Sequence, residues 1–202
     1  MPVDGRVARG DATRRTVLRR AVDIASVEGL EGLSLGRLAT ELELSKSGVF
    51  ALFGSKEELQ LAAIETASAI FAENVAGPTM EVERGIARLR ALCANWLDYS
   101  ERRVFPGGCF FFNIGAEFDA RTGRVHDAAA NASRAFAEFI RTAVVEAKNA
   151  GHLRESVDVN RLAFELHALG RAANADSVMF GGTEPYELAR AAITARLDAA
   201  AS

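Results

Sequence analysis

Residues 33–58 have the sequence LSLGRLATELELSKSGVFALFGSKEE, and this stretch decides the fold. Apolar residues recur over 35–42 at the i, i+3, i+4 and i+7 spacing of one helical face, and Val49 and Phe53 continue the pattern four residues apart. Serines that can act as N-caps precede three helical segments, at Ser34, Ser45 and Ser55. The last of them opens a capping box, SKEE, which predicts the start of a longer helix directly after the two short ones, helix four of the chain. Two short helices joined by a three- or four-residue turn predict a helix-turn-helix.

From about Arg14 to Glu65 the chain resembles the TetR family of transcriptional regulators, of the TetR/AcrR type. The resemblance rests on the segments GLEGLSLGRLA at 29–39 and SKSGVFALFGSKEEL at 45–59. The family's most recognisable positions correspond to Phe50, Phe53, Gly54, Ser55, Lys56, Glu57 and Leu59. The resemblance implies a dimeric DNA-binding regulator whose C-terminal domain binds a small ligand.

The first turn of the predicted recognition helix has the side chains that base contact requires. Lys46 can reach a guanine edge or a phosphate, Ser47 can hydrogen-bond to either, and Gly48 lets the helix approach closely. Lys56, in the first turn of helix four, is predicted to contact a phosphate. By resemblance, the positions that commonly touch DNA are Ser34, Arg37, Ser45, Lys46, Ser47, Gly48, Phe50 and Lys56.

Three residues depart from the family's usual pattern. Phe50 stands where tyrosine is usual and offers only apolar contact, and Leu52 replaces a frequent histidine. Glu43 occupies a turn position at which glycine is common, which predicts a left-handed backbone there.

The rest of the chain has helical periodicity almost throughout, so the predicted fold is all-α with about nine helices. After helices at 11–28, 35–42 and 46–52, helix four is predicted to end near Ala76, before Gly77 and Pro78. Five further helices are predicted at 80–102, 109–119, 124–149, 159–179 and 184–199. The predicted divisions are a helix-turn-helix DNA-binding domain at 1–54, a connecting helix at 55–76, and a ligand-binding and dimerisation domain at 77–202.

Composition limits the class of protein. The 202 residues are 49% hydrophobic and 25% charged, which suits a folded globular chain. No apolar run is long enough for a membrane span, and the N-terminus lacks the apolar core of a signal peptide. Cys93 and Cys109 are isolated cysteines, as in a reducing compartment. We therefore predict a cytoplasmic protein without membrane contact.

The net charge of −3 is unusual for a DNA-binding protein, so the distribution of charge matters. Residues 1–22 contain six arginines, at positions 6, 9, 14, 15, 19 and 20, against Asp4 and Asp11. Such a run can be an ordinary solvated face. Beside a helix-turn-helix it favours an arm that contacts phosphates.

Aromatic residues crowd the predicted second domain, and their pattern fits either a packed core or a ligand pocket. The resemblance favours a pocket between central helices, and it would take a small, largely apolar effector. Asn113, Glu117 and His167 are the candidate polar groups, although a lone histidine on an apolar helix is commonly a core residue. The predicted ligand-binding residues are Leu89, Cys93, Trp96, Phe110, Asn113, Ile114, Glu117, Phe118, Phe136 and His167.

The last two helices are rich in alanine, and small side chains allow helices to approach closely. This favours a homodimer formed through these helices, with an apolar seam from Leu162, Leu166, Leu169, Leu188 and Leu197. Packing within one chain would produce the same pattern.

Catalysis and metal binding find little support in the sequence. Cys109 opens a helix and His126 follows seventeen residues later, but no nucleophile motif surrounds the cysteine. The three histidines lack metal-ligand spacing, so no catalytic residue, metal or cofactor is predicted. The predicted function is a regulator, acting as a repressor, that a small effector releases from a pseudo-palindrome in double-stranded DNA. The alternative is a helical ligand-binding dimer without specific DNA binding.

Overall fold

The computed structural model describes residues 5–202, with side chains from residue 10 onward. Across these residues there is no β-strand, and nine helices follow one another as predicted. They are α1 (Gly5–Glu28), α2 (Leu35–Glu41), α3 (Lys46–Phe53), α4 (Lys56–Phe71, continued by the π-helical turn Ala72–Ala76 and by Gly77–Met80), α5 (Ile86–Glu101), α6 (Phe110–Phe118), α7 (Arg124–Asn149), α8 (Val159–Phe180) and α9 (Glu184–Asp198). A short 3-10 turn, Leu30–Gly32, lies between α1 and α2.

Helix α4 continues past its predicted end near Ala76, so this boundary was wrong. The backbone widens into the π-helical turn Ala72–Ala76, and Pro78 lies in the first turn of the segment that follows. In a regular α-helix, a proline ring collides with the carbonyl four residues earlier and lacks an N–H to donate. A π-helical turn changes the hydrogen-bonding register, which allows the helix to continue. Helix α5 was also placed wrongly, since it begins at Ile86 rather than near residue 80.

Contacts divide the chain into two compact units. The first contains the chain up to residue 69 together with residues 105–130, and the second contains residues 70–104 and 131–202. Helix α6 therefore belongs with the N-terminal helices and lies against α1. As functional domains, the divisions at 1–54, 55–76 and 77–202 stay predictions.

The first unit has the core that the periodicity of its helices predicts. The buried residues of α1 include Val17, Ala21, Ile24 and Ala25. Leu30 and Leu33 are also buried, and α3 turns Val49 and Phe53 inward. One apolar stripe on each short helix thus packs the helix-turn-helix together.

The predicted serine caps of the first unit are confirmed. The Ser34 hydroxyl accepts from the Arg37 N–H at 3.0 Å, Ser45 accepts from the Gly48 N–H at 3.0 Å, and Ser55 accepts from the Glu58 N–H at 3.1 Å. Glu43 has φ of 55°, so the predicted left-handed turn is confirmed too. These local features set the starts of α2, α3 and α4.

In the second unit, several buried aromatic residues are in mutual contact. The Trp96 and Phe136 ring centroids lie 4.8 Å apart, and Phe71 lies 4.9 Å from Phe136. Trp96 also lies against the bare backbone of Gly170, where a methyl group would collide with the indole. His167 stacks on Trp96 at 5.8 Å.

Helices α8 and α9 pack against each other, and this packing uses several leucines predicted for the dimer seam. Leu162, Leu166 and Leu197 are buried within the chain itself, so the seam prediction was wrong for these three. Leu188 is 64% exposed, so it stays available for the predicted dimer contact.

Candidate nucleic-acid interface

The first turn of α3 is open to solvent. Lys46, Ser47 and Gly48 are all exposed, and among the described residues the Lys46 ammonium has no hydrogen-bond or ion-pair partner. The Ser45 hydroxyl caps this turn by accepting from the Gly48 N–H. This end of α3 can approach a polyanion without first breaking an internal contact of Lys46.

Gly48 has an intramolecular role beside the predicted one. A Cβ at this position would lie 2.8 Å from the Ser45 Oγ, the atom that accepts from the Gly48 N–H. A larger residue would therefore displace the cap. Close approach to a base edge and preservation of the cap both require a small residue here.

Phe50 lies on the outer face of α3, with 57% of its surface exposed. Val49 and Phe53 of the same helix are buried in the core. An exposed phenyl group beside Lys46 suits apolar contact with a base, as the sequence predicts.

Arg37 differs from Lys46 because two carboxylates hold it. Its guanidinium donates to both carboxylate oxygens of Glu28, at 2.5 and 2.8 Å, and to Glu41 at 2.7 Å. Hydrogen bonds from Arg37 hold the pKa of the Glu28 and Glu41 carboxyls below their usual values. Glu41 also accepts from Arg20 at 2.6 Å. A phosphate would have to compete with these carboxylates for Arg37.

Lys56 is also paired within the first unit. Its ammonium donates to the Glu31 carbonyl oxygen at 2.7 Å and to the Glu31 carboxylate at 2.8 Å. The hydrogen bond from Lys56 holds the pKa of the Glu31 carboxyl below its usual value. Arg121 lies 3.2 Å from the same carboxylate. Lys56 stays a candidate for phosphate contact, with Glu31 as its internal competitor.

The predicted basic arm falls partly outside the described side chains, since those of Arg6 and Arg9 are not among them. Of the four described arginines of α1, Arg14 lies over the Phe53 ring at 5.2 Å and Arg19 lies 3.2 Å from Asp23. Arg15 is exposed. Some of the arginines of α1 therefore contact other side chains of the first unit.

The ten predicted ligand-binding residues fall into the two units. Phe110, Asn113, Ile114, Glu117 and Phe118 lie in the first unit; Leu89, Cys93, Trp96, Phe136 and His167 lie in the second. Asn113 donates to the carbonyls of Ser26 and Gly107, and Glu117 accepts two backbone N–H groups. The role of this set in ligand binding stays a prediction.

The second unit has an open groove between α7 and α8, with a volume of about 680 Å³. Its lining residues include Ala135, Ala163 and Phe164, and polar groups from Asn131, Arg134, Arg141 and His167. Of the ten predicted ligand-binding residues, His167 is the one that lines this groove. Sequence periodicity alone did not indicate the rest, because two separate helices contribute them.

His167 makes stability depend on pH. Burial, with a smaller effect of the nearby Arg171, lowers the pKa of its imidazole from 6.5 to about 4. Between these values the unfolded chain binds a proton that the folded chain does not, so stability falls as the pH drops from about 6.5 towards 4. We expect His167→Gln to lose less stability than the wild type between about pH 7 and pH 5, as measured by urea midpoints. Identical pH dependence in the two proteins would contradict this.

Comparison with known proteins identifies a family through the C-terminal part of the chain. A family model described as the tetracyclin repressor-like C-terminal domain matches residues 85–193, which is more than half of the chain. The chain belongs to the TetR family of transcriptional regulators. A search of curated proteins gave no match.

Solved structures of other proteins share this fold. A TetR regulator from Chloroflexus aurantiacus J-10-FL has a TM-score of 0.87 and 25% identity, over 96% of this chain and 98% of that one. AibR, in complex with isovaleryl coenzyme A and operator DNA, has a TM-score of 0.71 and 19% identity, over 90% and 96%. A transcriptional regulator from Saccharomonospora viridis in complex with choline has a TM-score of 0.79 and 17% identity, over 95% and 99%. The latter two show likeness of fold alone.

Membership of the TetR family implies a regulator rather than an enzyme. The cysteine considered for catalysis, Cys109, is 1% exposed, and Cys93 is buried as well. Burial raises the pKa of the Cys93 thiol to about 12, which leaves it protonated.

Among the described residues, no helix has the length and apolar character to cross a membrane.

Proposed function

We propose that this TetR-family protein is a homodimeric repressor that a small effector releases from a pseudo-palindromic operator. The observation that carries the proposal is the exposed first turn of α3, with Lys46 unpaired among the described residues beside Ser47 and Phe50. In a two-fold dimer, two such helices would enter successive major grooves about one helical turn apart. AibR was solved with operator DNA, which supports DNA as the partner of this fold.

The proposed dimer forms through α8 and α9. Phe164 and Met179 of α8 are 72% and 75% exposed, and three exposed alanines, Ala168, Ala172 and Ala175, lie on the same helical face. On α9, Leu188 is exposed at 64% and is followed by further alanines. Large apolar side chains separated by small ones suit close helix packing against a second copy. Unpartnered, they would leave an apolar face in water.

We place the effector in the second unit, at the groove between α7 and α8. A volume of about 680 Å³ lies within the usual range for small-molecule sites. Apolar contact would come from Phe164 and the alanines, and orientation from the polar groups at its edges. The neighbouring structures hold ligands as different as isovaleryl coenzyme A and choline, so fold alone does not specify the effector.

The test of DNA binding is selection from a random duplex pool at about 100 mM salt, where phosphate contacts still contribute. Enrichment of a palindrome supports the regulator and supplies an operator for effector screens. Binding without enrichment, or no binding by a folded dimer, would contradict specific recognition. That result would favour the alternative, a helical ligand-binding dimer without specific DNA binding.

Glu31 is predicted to restrain phosphate binding by Lys56. Glu31→Gln keeps the shape of the side chain and removes the charge that holds Lys56 and Arg121. We expect severalfold tighter operator binding at low salt, and a plot of log affinity against log salt that is steeper by roughly one unit for each phosphate gained. Binding is measured by fluorescence anisotropy across a salt series.

The matched control is Glu65→Gln, which removes the same charge from an exposed position on α4. This substitution should change operator affinity only through the net charge of the protein, and the slope of log affinity against log salt should change less than in Glu31→Gln. A Glu31→Gln slope equal to that of the control would show that Lys56 gains no phosphate contact.

A further inference from the structure

The turn between α1 and α2 depends on a carboxylate from a distant part of the chain. Glu117 of α6 accepts hydrogen bonds from the backbone N–H groups of Leu30 at 2.7 Å and Glu31 at 2.8 Å. These N–H groups open the 3-10 turn Leu30–Gly32, so no helical carbonyl is available to them. Leu30 is fully buried, and its N–H would be costly to leave without an acceptor.

Gly29 is required for this contact on two grounds. Its φ of 78° and ψ of 169° fall in a region that is essentially restricted to glycine. A Cβ at Gly29 would also lie 2.5 to 2.8 Å from the carboxylate atoms of Glu117. Any other residue at position 29 would strain the backbone, and its Cβ would occupy the space that the Glu117 carboxylate fills.

The opposite side of the same turn is held by α4. Gln60 donates from its side-chain amide to the Leu30 carbonyl at 2.9 Å, and Lys56 donates to the Glu31 carbonyl at 2.7 Å. The turn thus receives an acceptor from α6 and donors from α4, while α1 ends and α2 begins at its two ends. Because the turn links α1 to α2, a change in its position would change the direction in which α2, and with it α3, leaves α1.

A second contact fixes the segment that carries Glu117 to the end of α1. Asn113 donates to the Ser26 carbonyl, and the Gly107 N–H donates to the Ser26 hydroxyl at 3.1 Å. A Cβ at Gly107 would collide with the Ser26 carbonyl, so the two backbones approach closely. Residues 107–117 are therefore held against α1 at more than one point.

We propose that Glu117 is a positioning residue for operator recognition, and this inference rests on the proposed DNA-binding function. Its carboxylate holds the Leu30–Gly32 turn so that α3 presents Lys46, Ser47 and Phe50 in one orientation. Base contacts require that orientation, whereas contacts with phosphates of any sequence tolerate a change in it. Loss of the carboxylate should therefore reduce specific binding far more than binding to random DNA.

The experiment compares full-length wild type, Glu117→Gln and the control Asp119→Asn on the selected operator and on a random duplex. Asp119 is exposed at the end of the same helix, so its substitution removes the same charge without touching the turn. Glu117→Gln should weaken operator binding at least tenfold and change random-duplex binding less than twofold. Asp119→Asn should leave the ratio of the two affinities unchanged.

Amide hydrogen exchange supplies a readout independent of DNA. The Leu30 N–H should exchange at least tenfold faster in Glu117→Gln than in the wild type, while circular dichroism and dimer mass stay the same. Glu117→Ala should extend both effects; if it fails to fold, Glu117→Gln alone decides.

The outcomes separate this inference from the proposed function. A wild type that enriches no operator overturns the proposed function, and this inference with it. A wild type that selects an operator, together with a folded Glu117→Gln dimer of unchanged specific-to-random ratio, overturns the role of Glu117 alone. Equal losses on both duplexes would do the same, because they would indicate a general loss of folded protein.

Discussion

Replacement of Lys46 by alanine is expected to weaken binding to the selected operator by about 10- to 100-fold. Lys46 is exposed and has no partner among the described residues, so its removal should leave the fold intact. A dimer would lose the contact twice, once in each half-site, which makes this one of the largest effects expected of a single substitution. The measurement is a titration of labelled operator at fixed salt, with urea unfolding to check stability.

The control for Lys46→Ala is Arg84→Ala, which removes one positive charge from the second unit. The Arg84 side chain is 75% exposed, and its nearest carboxylate, that of Glu146, is 3.7 Å away. Its substitution should alter operator affinity only slightly. Equal affinities of the two variants would show that Lys46 does not contact the operator.

Replacement of Phe164 or Met179 by glutamate is expected to convert the proposed dimer into monomers at micromolar concentration. Both side chains are more than two-thirds exposed in the single chain, so the change should cost the protomer little. In a two-fold interface each substitution introduces two charges into an apolar contact, and we expect the dimer dissociation constant to rise by at least about 100-fold. Sedimentation equilibrium measures this directly, and operator binding should fall with it.

Met80→Glu is the matched control for the dimer. Met80 is the last residue of α4 and is 52% exposed. The substitution therefore replaces another exposed apolar side chain by glutamate, at a position outside α8 and α9. It should remain a dimer and bind the operator as the wild type does. Persistence of the dimer in both Phe164→Glu and Met179→Glu would place the interface elsewhere.

The helix-turn-helix could be predicted from sequence because its determinants are local. Serine caps act on N–H groups two or three residues later, and apolar stripes repeat within one or two turns. Ser34, Ser45 and Ser55 therefore cap the helices that they were predicted to cap, and Glu43 adopts the predicted left-handed backbone. The predicted end of α4 was wrong because a π-helical turn precedes Pro78 and allows the helix to continue through it. The local rule for proline does not anticipate such a turn.

The candidate site was predictable only in part. Exposure of Lys46, Ser47 and Phe50 agrees with the pattern of the recognition helix, in which Val49 and Phe53 are the predicted core residues. The partners of Arg37 and Lys56 were missed, although the spacing of Arg37 and Glu41 four residues apart offered an indication of one pair. Nothing in the local sequence indicates that Glu31 faces Lys56.

The sequence by itself determined the helical class, the order of nine helices and the capped helix-turn-helix, because these follow from interactions within a few residues. The tertiary structure alone decided which charges are available and which are used internally. Glu117 meets Leu30 across 87 positions of sequence, and Lys56 meets Glu31 across 25. Such contacts arise from how helices pack, and no periodicity encodes them. Sequence therefore identifies the helix-turn-helix, whereas packing determines how it is held.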